Sequence, residues 1–188
     1  MKLRKLVVTE FLSLDGVMEN PAWTFPYWND TISEFKGSET LSSDALLMGR
    51  VTYEMFAAVW PHRTVEDDPG AEHMNNYPKY VVSTTLDKVE WNNSHLIKGD
   101  IVTEITKLKA QPGKDILVYG SATLVNFLLQ QGLVDELRLL VYPVTVGGGK
   151  RLFSDETKVT LQLTEVKPAG QGVIALIYGV AKPDTSSP

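Results

Sequence analysis

Within the stretch DILVYG (115–120), Ile116 through Tyr119 are apolar without a break, and a single glycine, Gly120, ends the run. A run this short and this apolar reads as a strand buried on both faces. Such a strand needs a covering layer on each side of its sheet. Immediately after Gly120 and Ser121 the pattern changes. Leu124, Val125, Leu128 and Leu129 repeat at helical spacing over 122–131, and Gly132 ends them. A strand therefore passes into a helix with almost no loop between them.

The same change occurs at DALLMG (44–49), which runs into RVTYEMFAAVW (50–60). There Tyr53, Phe56, Val59 and Trp60 fall on one helical face. Further strands are expected over 3–14, 79–84, 95–99 and in DELRLLVYPV. Further helices are expected over 29–42, with Ile32 and Phe35 inward, and over 100–110, capped by Asp100. Residues 16–28 and 61–78 read as loops rich in proline. Two alternating runs, 157–167 and 173–182, joined by PAGQG, read as an antiparallel hairpin. Strands and helices that alternate before a closing hairpin imply one α/β domain over 1–182, with a mostly parallel sheet and helices on both faces. Residues 183–188 read as a disordered tail.

Composition narrows the function. The net charge of −5 argues against a nucleic-acid binder. There are no cysteines, which removes disulfides, thiolate nucleophiles and cysteine-held metals. His62, His73 and His95 show no ligand spacing, so no metal site is expected. No apolar run approaches the ~20 residues of a membrane helix, and the amino-terminal run reads as a strand. A cytoplasmic protein without a membrane partner is expected.

In parallel sheets, ligands sit beyond the carboxyl ends of the strands. The junctions LLMGRVTYE (46–54) and LVYGSATLV (117–125) lie at such ends. Glycine lets a ligand approach the backbone, and the helix behind it offers free N–H groups and partial positive charge. Such a place suits an anion. Arg50 adds a fixed charge, and Ser121 and Thr123 add hydroxyls. Either junction alone reads first as a plain steric solution; the two together, one carrying an arginine, balance that reading against a ligand with several phosphates that would span both. Neither is a G-x-G-x-x-G fingerprint. GGGKRL (147–152) is not a P-loop, because no Ser or Thr follows Lys150.

These two junctions, together with LVVTEFLSLDG, VVSTTL and LVYGSATLVNFLLQQGLVDELRLLVYPVTVGGGKRLF, resemble the dihydrofolate-reductase-like family. The closer resemblance is to the reductase domain of the riboflavin-biosynthesis deaminase–reductase (the RibD-type C-terminal domain) and its stand-alone bacterial relatives. It spans about residues 3–180 in order. It implies a three-layer dihydrofolate-reductase-like fold, an NADPH cofactor and a homodimer. Gly49, Arg50 and Thr52 would lie at the cofactor's phosphates, with Arg50 near the 2′-phosphate. Ser83 and Thr84 would hold the adenosine end, and Gly120, Ser121, Ala122 and Thr123 the pyrophosphate. The family's named activity reduces the ribose of a phosphoribosylamino-pyrimidine. Lys150 and Arg151 are candidates to grip a substrate phosphate.

The proton source is less defined. Folate-type reductases carry a carboxylate on the first helix. Aligning on Phe35-Lys36 puts Thr31 there, with Asp30 one residue away. Asp30 is a candidate acid or a plain helix-start residue. Asp15, in SLDG, is a candidate beside the nicotinamide or a plain turn aspartate. Trp23 and Trp28, in an aromatic loop with Phe25 and Tyr27, can stack on a flat substrate, fasten the loop to the core, or form a subunit contact. The expected function is NADPH-dependent reduction of a small heterocycle. The alternatives are a nucleotide-binding homodimeric module without turnover and a dihydrofolate reductase proper.

Overall fold

Along the first strand, β1 (Leu6–Ser13), successive side chains enter opposite layers, as a period of two requires. The computed structural model describes residues 3–181; the expected tail at 183–188 lies outside them. The helices that receive these side chains are α1 (Asp30–Ser42), α2 (Arg50–Val59), α3 (Ala71–Asn76), α4 (Ile101–Ala110) and α5 (Ala122–Gln130). Leu6 and Val8 pack with Ile105 and Leu108 of α4 and with Leu124, Val125 and Leu128 of α5. Val7 packs on the other side, with Tyr53 of α2 and Met74 of α3.

The next strands are β2 (Ser43–Gly49), β3 (Lys79–Val82), β4 (Ser94–Ile97) and β5 (Asp115–Val118). The same division holds along β5. Ile116 and Val118 face the α4–α5 layer and Leu117 the α2–α3 layer, all three closed to solvent. That is why its sequence shows no alternation: both faces of the strand are dry.

The sheet is completed by β6 (Glu136–Tyr142), β7 (Leu161–Pro168) and β8 (Ile174–Val180), in the order β4-β3-β2-β5-β1-β6-β8-β7. The pairs among β1 to β6 are all parallel, and β8 runs against both β6 and β7. The fold is thus the mixed α/β architecture expected, with the antiparallel hairpin at its end. The decisive feature for function is that β5 inserts between β2 and β1. The strand ends at Gly49 and Val118, distant in sequence, become neighbours.

Three local expectations change. Residues 61–78 are not only loop: α3 forms there because Ala71 and Met74 have an apolar layer to enter. The aromatic segment contains a 3-10 helix, Pro21–Tyr27, begun by Pro21, which suits the first helical position. Val59 does not join the buried face of α2 and stays 44% exposed, because the helix ends at that residue. Among the described residues no helix is long and apolar enough to cross a membrane.

Candidate functional site

Two kinds of helix start occur in this molecule. Asn29 caps α1 by accepting from the Ile32 N–H at 3.2 Å, and Asp100 caps α4 by accepting from the Thr103 N–H at 3.0 Å. The starts of α2 and α5, at Gly49 and Ser121, receive no capping side chain, and neither does that of the short α3, at Gly70. First-turn N–H groups without caps need another partner. The starts of α2 and α5 lie side by side: the Gly49 N–H donates to the Gly120 carbonyl at 3.0 Å. A Cβ at Gly49 would lie 2.8 Å from Ser121 Oγ, so the second junction itself forbids a side chain at the first. Gly120 has φ +76°, and the peptide after it is cis.

Both mouths open on one cavity of about 440 Å³. Arg50, Thr52, Ser121, Ala122 and Thr123 line one side of it. Arg50 is exposed, and its Nη1 donates to Glu54 Oε2 at 2.9 Å. Such an exposed pair, four residues apart on a helix, is worth about 0.3–0.5 kcal/mol and yields readily to a better anion.

Beside them the lining continues into a charged cluster. β5 ends where Val118 pairs with Val8, while β1 continues. Glu10, two residues farther on, therefore meets the Gly120 turn in place of a neighbouring strand. A Cβ on Gly120 would lie 3.3 Å from both Glu10 Oε1 and Thr52 Oγ1. Glu10 Oε1 is closed to solvent and has no hydrogen-bond partner. Burial, and secondarily the Glu39 charge, outweigh nearby Lys36 and push the Glu10 carboxyl up to about 8.

Lys36, on α1, donates to Thr9 Oγ1 at 2.6 Å and pairs with Glu39 Oε2 at 2.6 Å. Its Nζ stands 5.2 Å from both the Phe11 and Tyr119 ring centres. Burial pulls its ammonium down, but Glu39, Tyr119 and Glu10 more than compensate and raise it above the ordinary lysine value. Glu39 is itself fully buried, and Thr9 Oγ1 donates to it. The cavity thus joins a positive rim to a floor holding a neutral acid and an ammonium.

The acids put forward from the sequence are elsewhere. Asp15 lies outside the cavity lining. Its carboxylate accepts from Ser13 Oγ at 2.6 Å, Val146 N at 3.0 Å and Gly147 N at 2.8 Å. These bonds, Ser13 first, hold it down at about 2. It fastens the first loop to the glycine run and, fixed as an anion, is no proton carrier near neutral pH. Asp30 is exposed at the first position of α1, outside the cavity.

Trp23 meets Tyr142 edge-on at 5.5 Å, fastening its loop to the core. Trp28 donates from Nε1 to Ser33 Oγ at 2.9 Å and is half exposed. Neither lines the cavity. Ser83 Oγ accepts from the N–H groups of Thr85 and Leu86, so its hydroxyl shapes the turn after β3; Thr84 beside it is exposed. Both stand outside this cavity. Lys150 lines the cavity, whereas Arg151 is turned to the Asp15 carbonyl at 3.0 Å.

Glu10 and Lys36 are the residues the sequence pattern does not single out. The available signal was a carboxylate inside a largely apolar strand, followed by a Lys-x-x-Glu pair on the next helix. Among the described residues no group of three or more His, Cys, Asp or Glu could hold a metal.

Comparison with known proteins agrees with this fold. The RibD C-terminal domain family matches residues 4–175. The uncharacterized protein YyaP of Bacillus subtilis is 30% identical over 95% of this chain and 96% of its own. A putative riboflavin biosynthesis protein from Shewanella sp. PV-4 shares the fold with a TM-score of 0.70 and 22% identity, over 95% of this chain and 99% of that one. Dihydrofolate reductase from Enterococcus faecalis, solved in complex with NADP(H) and RAB-propyl, superposes with a TM-score of 0.61 at 13% identity, over 94% and 96% of the two chains.

Proposed function

The chain belongs to the RibD C-terminal domain family, and on that premise we propose that it is an NADPH-dependent reductase of a small heterocyclic substrate. The observation that carries this reading is the pair of uncapped helix starts at Gly49 and Ser121, set against each other at the rim of one cavity. The residues fit a dinucleotide. Gly49 and Gly120 let the two junctions pack against each other, and no capping side chain takes the first-turn N–H groups there. When bound, NADPH supplies the hydride.

The protein's own residues do the rest. Gly49, Arg50 and Thr52 on one side and Gly120, Ser121, Ala122 and Thr123 on the other would hold the phosphates. Arg50 would exchange its weak pair with Glu54 for the 2′-phosphate. A charge-assisted contact of roughly 1.5–3 kcal/mol exceeds the pair it replaces. Phe11, Phe56 and Tyr119 offer apolar walls to a flat substrate. The riboflavin-pathway pyrimidine is one substrate of this kind. Lys150, at the mouth, is placed to meet a substrate phosphate.

The test is calorimetry with both nicotinamide nucleotides. Arg50→Ala is expected to weaken NADPH binding roughly 10- to 150-fold while leaving NADH nearly unchanged, the factor that 1.5–3 kcal/mol implies. An equal loss for both nucleotides would remove Arg50 from the 2′-phosphate.

A further inference from the structure

We propose that Glu10 is the acid that protonates the substrate in this cavity, and that the substrate is a planar heterocycle reduced at a C=N or C=O bond. The proposal rests on the reductase reading and adds the proton source and bond type to it.

The argument is geometric. Glu10 lines the cavity, and its Oε1 is sealed from solvent without a protein partner. Closing this oxygen without a partner favours the neutral carboxyl, and the side chain, only partly buried as a whole, presents its remaining surface to whatever fills the cavity. Oε1 also lies against the Gly120 turn, where the second helix mouth opens, so acid and cofactor grip share one wall. The charged and titratable groups that act on Glu10 are Lys36 and Glu39 from α1; Tyr119 lies in the same cluster at the end of β5.

Glu39 is the weaker candidate. It is fully buried, held by Thr9 and Lys36, and absent from the cavity lining. Tyr119 does line the cavity, but burial raises its hydroxyl above the ordinary tyrosine value and makes it a poorer donor.

The step balances with one hydride and one proton. The hydride and its electron pair reach the substrate carbon from a reduced nicotinamide nucleotide, which is left oxidised. The π pair of the C=N or C=O bond passes to the heteroatom, which takes the proton from the Glu10 carboxyl. Glu10 is left as a carboxylate within the field of the Lys36 ammonium, and water at the cavity mouth returns the proton.

The experiment has a ligand-free and a kinetic arm. In the first, the protein carries ¹³C-labelled glutamate carboxyls and is titrated by NMR. One carboxyl is expected to titrate near pH 8 and to vanish in Glu10→Gln. In the second, NADPH binding and NADPH oxidation are measured with alloxan, 7,8-dihydrobiopterin and menadione for wild type, Glu10→Gln and Tyr119→Phe. Wild type is expected to use at least one of the two heterocycles. Glu10→Gln should bind NADPH as wild type does yet turn over roughly 10²- to 10⁴-fold more slowly, the range for losing a general acid. Tyr119→Phe keeps the ring that walls the cavity and removes only the hydroxyl, so its rate should fall less than that of Glu10→Gln.

The assignment is overturned by the absence of any glutamate titrating above about pH 6, where a perturbed acid should stand out from ordinary carboxyls. It is also overturned by a Glu10→Gln enzyme as fast as wild type, by loss confined to Tyr119→Phe, or by a wild type that binds NADPH but reduces neither heterocycle. A wild type that binds neither nucleotide defeats the cofactor reading as well, and is distinguished from the others by the binding measurement itself.

Discussion

Replacing Glu10 by glutamine should make the protein's stability less dependent on pH, with a sign fixed by the direction of its shift. The carboxyl is raised from 4.5 to about 8 in the fold, chiefly by burial. Below pH 4.5 both folded and unfolded chains keep this proton, so the group costs nothing. Between the two values the unfolded chain releases the proton while the fold retains it, and stability falls as pH rises. Above about 8 both have released it and the loss is complete. The displacement corresponds to roughly 4–5 kcal/mol, taken as an upper bound because entering water softens such penalties. Glutamine is close in shape to the protonated acid and cannot ionise. Urea unfolding of both proteins at pH 5, 7 and 9 measures the effect. The variant should match wild type near pH 5 and exceed it by several kcal/mol at pH 9, other titrations cancelling in the difference. Parallel stability curves would refute the argument that Glu10 is buried and uncompensated.

Other consequences are independent of Glu10. Lys79 is fully buried, and its Nζ donates to the carbonyls of Asn75, Tyr77 and Asn92 at 2.8–2.9 Å, 4.4 Å from the Trp91 ring centre. Lys79→Met strands these three carbonyls and should cost about 3 kcal/mol in urea unfolding; a loss below about 0.5 kcal/mol would show that the cage is not stabilising. Leu163 and Val166 on β7 and Ile174 on β8 are 50%, 49% and 42% exposed, and they extend the sheet face that carries Leu176 and Tyr178. We propose that this face pairs two copies of the chain. Light scattering should give a homodimer, and Leu163→Lys with Val166→Lys should give a monomer; an unchanged mass would move the contact elsewhere.

The sequence makes the strand–helix alternation legible because burial on both faces leaves runs such as Ile116–Val118 without a polar residue. Each junction is visible for the same reason: the hydrophobic period changes at Gly49 and Gly120. Their contact is not visible. It depends on β5 returning between β2 and β1, a choice of strand order that no local pattern encodes. The short α3 is hidden because six residues between prolines carry too little periodicity. The site acid is hidden for a topological reason as well. Glu10 has the local appearance of a polar interruption in a strand, and only the early end of β5 gives it a cavity to face. Asp15, by contrast, looks like a site residue because it follows a strand end, yet the glycine run folds back over its carboxylate.

Amide hydrogen exchange with and without NADPH tests the central arrangement most directly. The backbone N–H groups of Val51, Thr52, Ala122 and Thr123, at the uncapped starts of α2 and α5, are predicted to slow together when NADPH is added. Exchange at the capped starts of α1 and α4 should stay as it was. Saturating nucleotide that leaves both uncapped starts unprotected, or that protects one of them alone, would contradict the account.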